Sequence, residues 1–90
     1  MQNNLPTTVT IEHLNALVAD SVVEYAVFGE KLTVCVITLP TGFKVTGEAS
    51  CVDPANFDEA LGEKYAKENA TNKLWELEGY LLANDIHRAK

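Results

Sequence analysis

The stretch from Leu32 to Cys51, LTVCVITLPTGFKVTGEASC, constrains this chain more than any other. Leu32 to Leu39 is dense in β-branched and large apolar side chains, which fit a pleated surface better than a helix. Pro40-Thr41-Gly42 follows, with proline presetting one turn dihedral and glycine tolerating positive φ. Phe43 to Cys51 then alternates, with Phe43, Val45, Gly47, Ala49 and Cys51 on one face and Lys44, Thr46, Glu48 and Ser50 on the other. That period of two marks a half-buried antiparallel strand. The first strand is apolar on both faces, Leu32, Val34 and Val36 against Cys35, Ile37 and Leu39. It therefore reads as the central strand, covered on both sides by helices or by another subunit.

The flanks are built to cover this hairpin. Thr8 or Thr10 caps a helix through about Asp20, whose apolar positions Ile11, Leu14, Leu17 and Val18 fall at helical spacing and leave His13 solvated. Ser21 to Phe28 reads as a first strand, turned by Gly29-Glu30-Lys31 into the central one. Val23, Tyr25 and Val27 share one of its faces. Val22, Glu24, Ala26 and Phe28 share the other. After the sheet, either Asp53 caps a helix with Pro54 in its first turn, or Asn56 caps with Glu59 three residues on. Phe57, Ala60, Leu61 and Tyr65 mark a buried stripe. Further on, Ala66, Ala70, Leu74, Leu77 and Leu81 form one apolar stripe and Trp75, Leu82 and Ile86 a second. A helix apolar on two sides is wedged between two bodies, the sheet and a partner subunit. Gly79 marks close packing or a break, and Met1–Thr8 and Ala83–Lys90 read as frayed ends. The expectation is one α+β domain over residues 1–90, with an N-terminal helix, a three-stranded antiparallel meander and a C-terminal helical region packed on the sheet. A compact monomer with helices on both sheet faces fits the same pattern.

Composition narrows the function classes. A net charge of −6 and a pI near 4.7 argue against general nucleic-acid binding, which needs basic surface to displace counterions. No apolar run reaches the roughly 18–20 residues that span a bilayer, and the polar start MQNNLPTT is no signal peptide. The chain is thus expected in a reducing cytosol and off the membrane, with Cys35 and Cys51 as free thiols in the sheet. Those cysteines, His13 and His87 stand at unrelated spacings and make no metal motif. Gly42, Gly47 and Gly62 make no phosphate-binding loop, and Ser21 and Ser50 have no base patterned around them. Glu48 reads as a cross-strand partner of its neighbours rather than an acid or base. The apolar setting of Cys35 argues against a thiolate. Without paired titratable groups, no enzyme activity, cofactor or metal is expected.

Binding is better served. Lys44, Thr46, Glu48 and Ser50 form a row of hydrogen-bonding groups on rigid backbone. Phe43, Trp75 and Tyr80 are the aromatics best placed to edge a pocket, and Asn69 and Lys73 add an amide and a cation one turn apart on the strip Asn69, Lys73, Glu76, Tyr80. A small anionic ligand with a ring would use this mixture, stacking on an aromatic and setting a phosphate on lysine. The plainer roles weigh more: Lys44 and Lys73 as surface charges and, above all, Trp75 as core.

Four blocks carry a family likeness: the LTVC strand, GF-x-VTGE-x-x-C-VDP-x-NFD, the x-ENA-x-NK-x-W segment and LEGYLL. In order and spacing they resemble a family of small bacteriophage proteins named after gene forty-nine of an N-four-like phage and gene sixty-six of a Shigella phage. The resemblance covers about Leu32 to Leu82, and the first thirty residues carry little of it. Other members have proline directly after the tryptophan, where this chain has Glu76. The resemblance implies a phage or prophage origin and an intracellular accessory role, and it brings no catalytic residues. By analogy with other small phage accessory proteins, the expected function is non-enzymatic interference with host antiviral defence in the host cytoplasm. The leading form is a homo-oligomer that sequesters a nucleotide-type immune signal at a subunit interface, between the Lys44–Ser50 face and the Asn69–Tyr80 strip. One alternative is direct inhibition of a host defence or replication protein through an acidic or apolar surface. Others are a structural or regulatory partner in phage replication or recombination, and a small nucleotide hydrolase.

Overall fold

The computed structural model describes residues 8–29, 31–51 and 53–89. Its elements in order are α1 (Ile11–Ala19), β1 (Val22–Phe28), β2 (Leu32–Thr38), β3 (Lys44–Ser50), a short 3-10 turn (Pro54–Asn56) and α2 (Glu59–Arg88). The fold is α+β. The three strands form an antiparallel sheet in the order β1-β2-β3, with β2 central and Tyr25, Cys35 and Gly47 aligned across its middle. Both hairpins close on glycines with positive φ, Gly29 at 62° and Gly42 at 91°. At the second, the Gly42 amide donates to the Leu39 carbonyl at 2.8 Å. The expected fraying of residues 1–7, the place of Glu30 in the first turn, and Lys90 lie outside the described residues.

Both helices lie on one face of the sheet. On that face Thr33, Cys35, Ile37, Val45 and Gly47 are buried, while Leu32, Val34 and Val36 on the opposite face stay half-buried at the surface. The expectation that β2 is covered on both sides, or that helices flank both faces, is therefore not met within the chain. Its second apolar face is open. At the edge of that open face Val22 and Phe28 are about three-fifths exposed, at 59% and 58%.

The contact between α2 and the sheet is made backbone to backbone. A Cβ added to Gly47 would collide with Ala70 N and Ala66 O and would stand 2.8 Å from Ala70 Cα. One turn nearer the helix start, a Cβ on Gly62 would lie 2.5 Å from Thr33 Oγ1. Gly62, Ala66, Ala70 and Leu74, at spacings of four, form the stripe that faces β2 and β3. Small residues there let the helix axis drop close to the pleat. The tight fit leaves the buried Thr33 hydroxyl without a hydrogen-bond partner among the described residues.

Several expectations about the helices change. The cap of α2 is neither Asp53 nor Asn56. Asp58 accepts from the Leu61 amide at 3.1 Å, and Asp53 instead accepts from the Ala55 amide and opens the separate 3-10 turn. The stripe Phe57, Ala60, Leu61, Tyr65 is mostly exposed, because the sheet-facing register begins at Gly62. The helix does not break near Gly79, where a Cβ would meet open space, and it runs on through segment 83–88 instead of fraying there. Glu59 in its first turn and His87 and Arg88 in its last favour the helix dipole at both ends.

Thirty residues make a helix of about 45 Å, longer than the sheet it crosses, and the molecule extends 60 × 21 × 17 Å. The second half of α2 therefore overhangs, and α1 packs beneath it. Thr10 caps α1 by accepting from the His13 amide. Leu14 is fully buried in the common core, with Leu17 and Val18 beside it, while Ile11 is half exposed. His13 is at the surface as expected, yet its Nε2 pairs with Glu78 Oε1 at 2.6 Å, tying α1 to the overhang.

Two glycine substitutions should act in opposite directions. Gly47→Ala forces α2 off the sheet and is expected to cost about 3 kcal/mol or more. Gly79→Ala adds a methyl into open space in a helix and is expected to gain about 1 kcal/mol. Urea unfolding followed by circular dichroism measures both. Unchanged stability in Gly47→Ala would refute the close helix–sheet contact.

Candidate functional site

Of the residues singled out from the sequence, Phe43, Lys44, Thr46, Glu48, Asn69, Lys73 and Tyr80 lie along one side of the molecule, where α2 passes the β3 edge. Asn69 and Lys73 stand one turn apart on α2. The Asn69 amide donates to the Glu48 carbonyl at 2.7 Å, and Lys73 Nζ lies 3.5 Å from Thr46 Oγ1. Asn69 thus holds an edge carbonyl of the sheet, and Glu48 takes part there through its backbone. On the open face Lys44 Nζ donates to Thr38 Oγ1 at 2.7 Å, across the β2–β3 register pair. Thr38 was missed in the sequence because it ends a strand read as apolar; its pairing opposite Lys44 follows only from the register.

The two ammonium groups bracket Thr46 and bind only neutral threonine hydroxyls. Among the described residues neither meets a carboxylate, and the side-chain contact between a basic and an acidic residue found there is the His13–Glu78 hydrogen bond. In a chain with 13 acidic and 7 basic residues, two lysines meet at this corner, with Glu48 on the same strand face and Glu76 three residues along α2 from Lys73.

Beside that corner is an apolar groove of about 540 Å³. Phe43 and Tyr80 line it, with Leu39 and Pro40 from the hairpin turn and Leu77 and Leu81 from the overhang. Phe43 follows the turn and precedes Lys44. Lys73, Leu77 and Tyr80 repeat at i, i+4 and i+7 and so share one helix face. The groove lies near that corner on the helix side of the sheet, and neither Lys73 nor Lys44, which projects from the open face, lines it. Its aliphatic wall was missed because Leu77 and Leu81 extend the sheet-facing stripe. Only the length of α2 shows that they lie beyond the sheet.

Trp75 is the exception. It lies on the other flank of α2, by Ile11 and Asn15 of α1 and Lys67, Glu68 and Thr71, and it takes no part in the groove. It is also 38% exposed, so it is not the core residue that its size suggests.

Elsewhere little points to reaction chemistry. Cys35 is fully buried, and burial pushes its thiol up from the ordinary range, with Lys67 opposing the shift and Glu63 adding to it. Burial likewise raises the Tyr25 phenol, together with the charges of Cys35 and Glu63. Cys51 is half-buried at the end of β3, and there is no disulfide among the described residues. No group of three or more His, Cys, Asp or Glu side chains among them is placed to hold a metal ion. No described helix is long and apolar enough to cross a membrane.

The fold and site define a small helix-on-sheet protein with a cationic corner and an apolar groove. The chain belongs to the phage protein (N4 Gp49/phage Sf6 gene 66) family, whose pattern matches residues 7–86. The likeness thus includes α1 and β1, beyond the Leu32–Leu82 span read from the motifs. Neither the curated proteins nor the solved structures hold a match to the chain.

The state of Cys35 is directly testable. In a Cys51→Ser variant at mildly alkaline pH, a thiol reagent should leave the folded protein unlabelled and modify it fully in denaturant. Rapid labelling of the folded form would contradict the buried, neutral thiol.

Proposed function

We propose that this protein is a non-enzymatic phage accessory protein that acts in the host cytoplasm and counters antiviral defence by binding and sequestering a nucleotide-type signal. The observation that carries this reading is the pair of lysines, Lys44 and Lys73, that meet no carboxylate among the described residues and stand near an apolar groove edged by Phe43 and Tyr80. A phosphate takes the ammonium groups and the Thr38 and Thr46 hydroxyls, while a base or other ring takes the groove. A net charge of −6 over the whole chain repels polyanions but not one compact phosphate held by two lysines. The phage family supplies the biological setting.

A second reading, direct inhibition of a host protein, is favoured by the open sheet face, where Val22 and Phe28 stand exposed beside Leu32, Val34 and Val36. Exposed apolar surface of this kind marks contact sites.

A thermal-shift screen against cyclic nucleotides and ADP-ribose-type compounds separates the readings. A ligand at a hundred times its Kd stabilises the folded chain by about 2.7 kcal/mol. Heat-released ligand of unchanged mass is the expected result, with binding abolished in Lys44→Ala and Lys73→Ala. A hydrolysed product would mean an enzyme. No shift with any compound, or full binding by both variants, would overturn the proposed site and leave the protein-inhibitor reading.

A further inference from the structure

The two edges of the sheet are finished differently. Backbone hydrogen bonds fix which peptide groups each edge presents. The Lys31 carbonyl accepts from Cys51 at 3.0 Å, and the Leu39 amide donates to Phe43 at 2.8 Å. Alternation along the strand then turns the peptide groups of Thr33, Cys35 and Ile37 toward β3, and those of Leu32, Val34, Val36 and Thr38 toward β1. On β3 the outward groups are those of even-numbered residues, as the Asn69 bond to the Glu48 carbonyl bears out. On β1 the outward groups belong to Val23, Tyr25 and Val27 by the pairing of Val22 with Thr38 and Phe28 with Leu32.

The β3 edge is covered by α2, with Asn69 on its carbonyl and Lys73 reaching Thr46. β1 has no comparable protection. Every residue from Val22 to Phe28 except Val23 is exposed, five of them apolar. The strand holds no proline, lysine or bulge, devices that commonly blunt an edge, and Glu24 is the one charge on it.

We infer that β1 is a self-pairing edge, and that two copies of this chain join antiparallel through it about a two-fold axis at Tyr25. The three outward peptide groups are symmetric about that residue. Val23 of one copy stands opposite Val27 of the other, Tyr25 opposite Tyr25, giving about six interchain hydrogen bonds at two per pair. On the open face Val22 meets Phe28 and Glu24 meets Ala26. Val22 thus meets an apolar partner twice over, Glu24 faces only the small Ala26, and no carboxylate directly opposes another. Moving the axis to Glu24 sets the two glutamates face to face in a close pair, a like-charge arrangement that destabilises a sheet. Moving it to Ala26 shortens the overlap. The Tyr25 register alone combines full overlap with no opposed charges. Its product is a six-stranded sheet with all helices on one side and the two cationic corners at its far ends. Those corners are thereby separated from the subunit interface, and pairing through β1 stands or falls independently of what the corners bind.

The test uses the full chain at micromolar concentration in sedimentation equilibrium. Wild type is expected at twice the 9.9 kDa chain mass. Tyr25→Lys and Tyr25→Glu should each be monomeric, with circular dichroism unchanged, and an equimolar mixture should restore the dimer because only residue 25 faces its own copy. Val34→Lys, in the middle of the open face, should remain a dimer. A monomeric wild type overturns the proposal. So does a dimer that survives Tyr25→Lys but is lost in Val34→Lys, since that places the contact on the open face. Should the Tyr25 variants fail to fold, amide exchange of wild type decides. Slow exchange at Val23, Tyr25 and Val27 supports edge pairing, and exchange there at the rate of an open edge overturns it.

Discussion

The absence of a side chain at Gly47 is the constraint on which the rest of the structure depends. With Ala66 and Ala70 above it, this glycine lets α2 rest on the sheet with main chain against main chain. Close approach of this kind maximises dispersion contacts along the helix and excludes water from Cys35 and Ile37 beneath. It also fixes the azimuth of α2. With the stripe Gly62, Ala66, Ala70, Leu74 turned down, Asn69 and Lys73 must emerge over the β3 edge and Trp75 on the opposite flank. The location of the cationic corner is thus a consequence of packing several residues away from it. The Thr33 hydroxyl under Gly62, without a partner among the described residues, is a cost of the same closeness.

Much of the fold was legible because its signals are local. The alternation in Phe43–Cys51, the β-branched run before it and the Pro-Thr-Gly turn place two strands and the hairpin between them with little help from elsewhere. The central position of β2 followed from its two apolar faces. The inference that both are covered did not hold within the chain, because an apolar pattern records what can be buried and not what buries it. The helices were read less well. Asp58 is the cap, and Asp53 and Asn56 have the same capping chemistry five and two residues too early. Gly79 was weighed as a break on propensity alone, though a single glycine in a long helix costs only about 1 kcal/mol. The glycine that mattered was Gly47. A glycine inside a strand pattern opposite alanines spaced by four was the available signal for close backbone approach.

The site was legible as a set of residue types but not as an arrangement. Lys44, Thr46, Asn69 and Lys73 are 29 positions apart at most, on two elements, and only the docking of α2 brings their side chains together. Phe43 and Tyr80 joined them for a reason outside any motif, the overshoot of the helix past the hairpin turn. Trp75 failed for an angular reason. Two residues beyond Lys73 on a helix is roughly 200° of rotation, which carries the ring to the far flank. The contrast between the strand edges is likewise invisible without coordinates, since it rests on which peptide groups face outward.

The overhang of α2 behaves as a lever pivoted on Gly47. From Ala70 to Arg88 it is about 27 Å long, so a tilt of about 10° at the pivot carries its tip through about 5 Å. The groove lies between this arm and the hairpin turn, and its width is therefore set by the angle of the arm. His13 and Glu78 act as a stay partway along it. A loose bearing would open and close the groove with thermal motion. Seating the pivot on main-chain atoms, which have no rotamers to exchange, keeps the arm at one angle and the groove at one width.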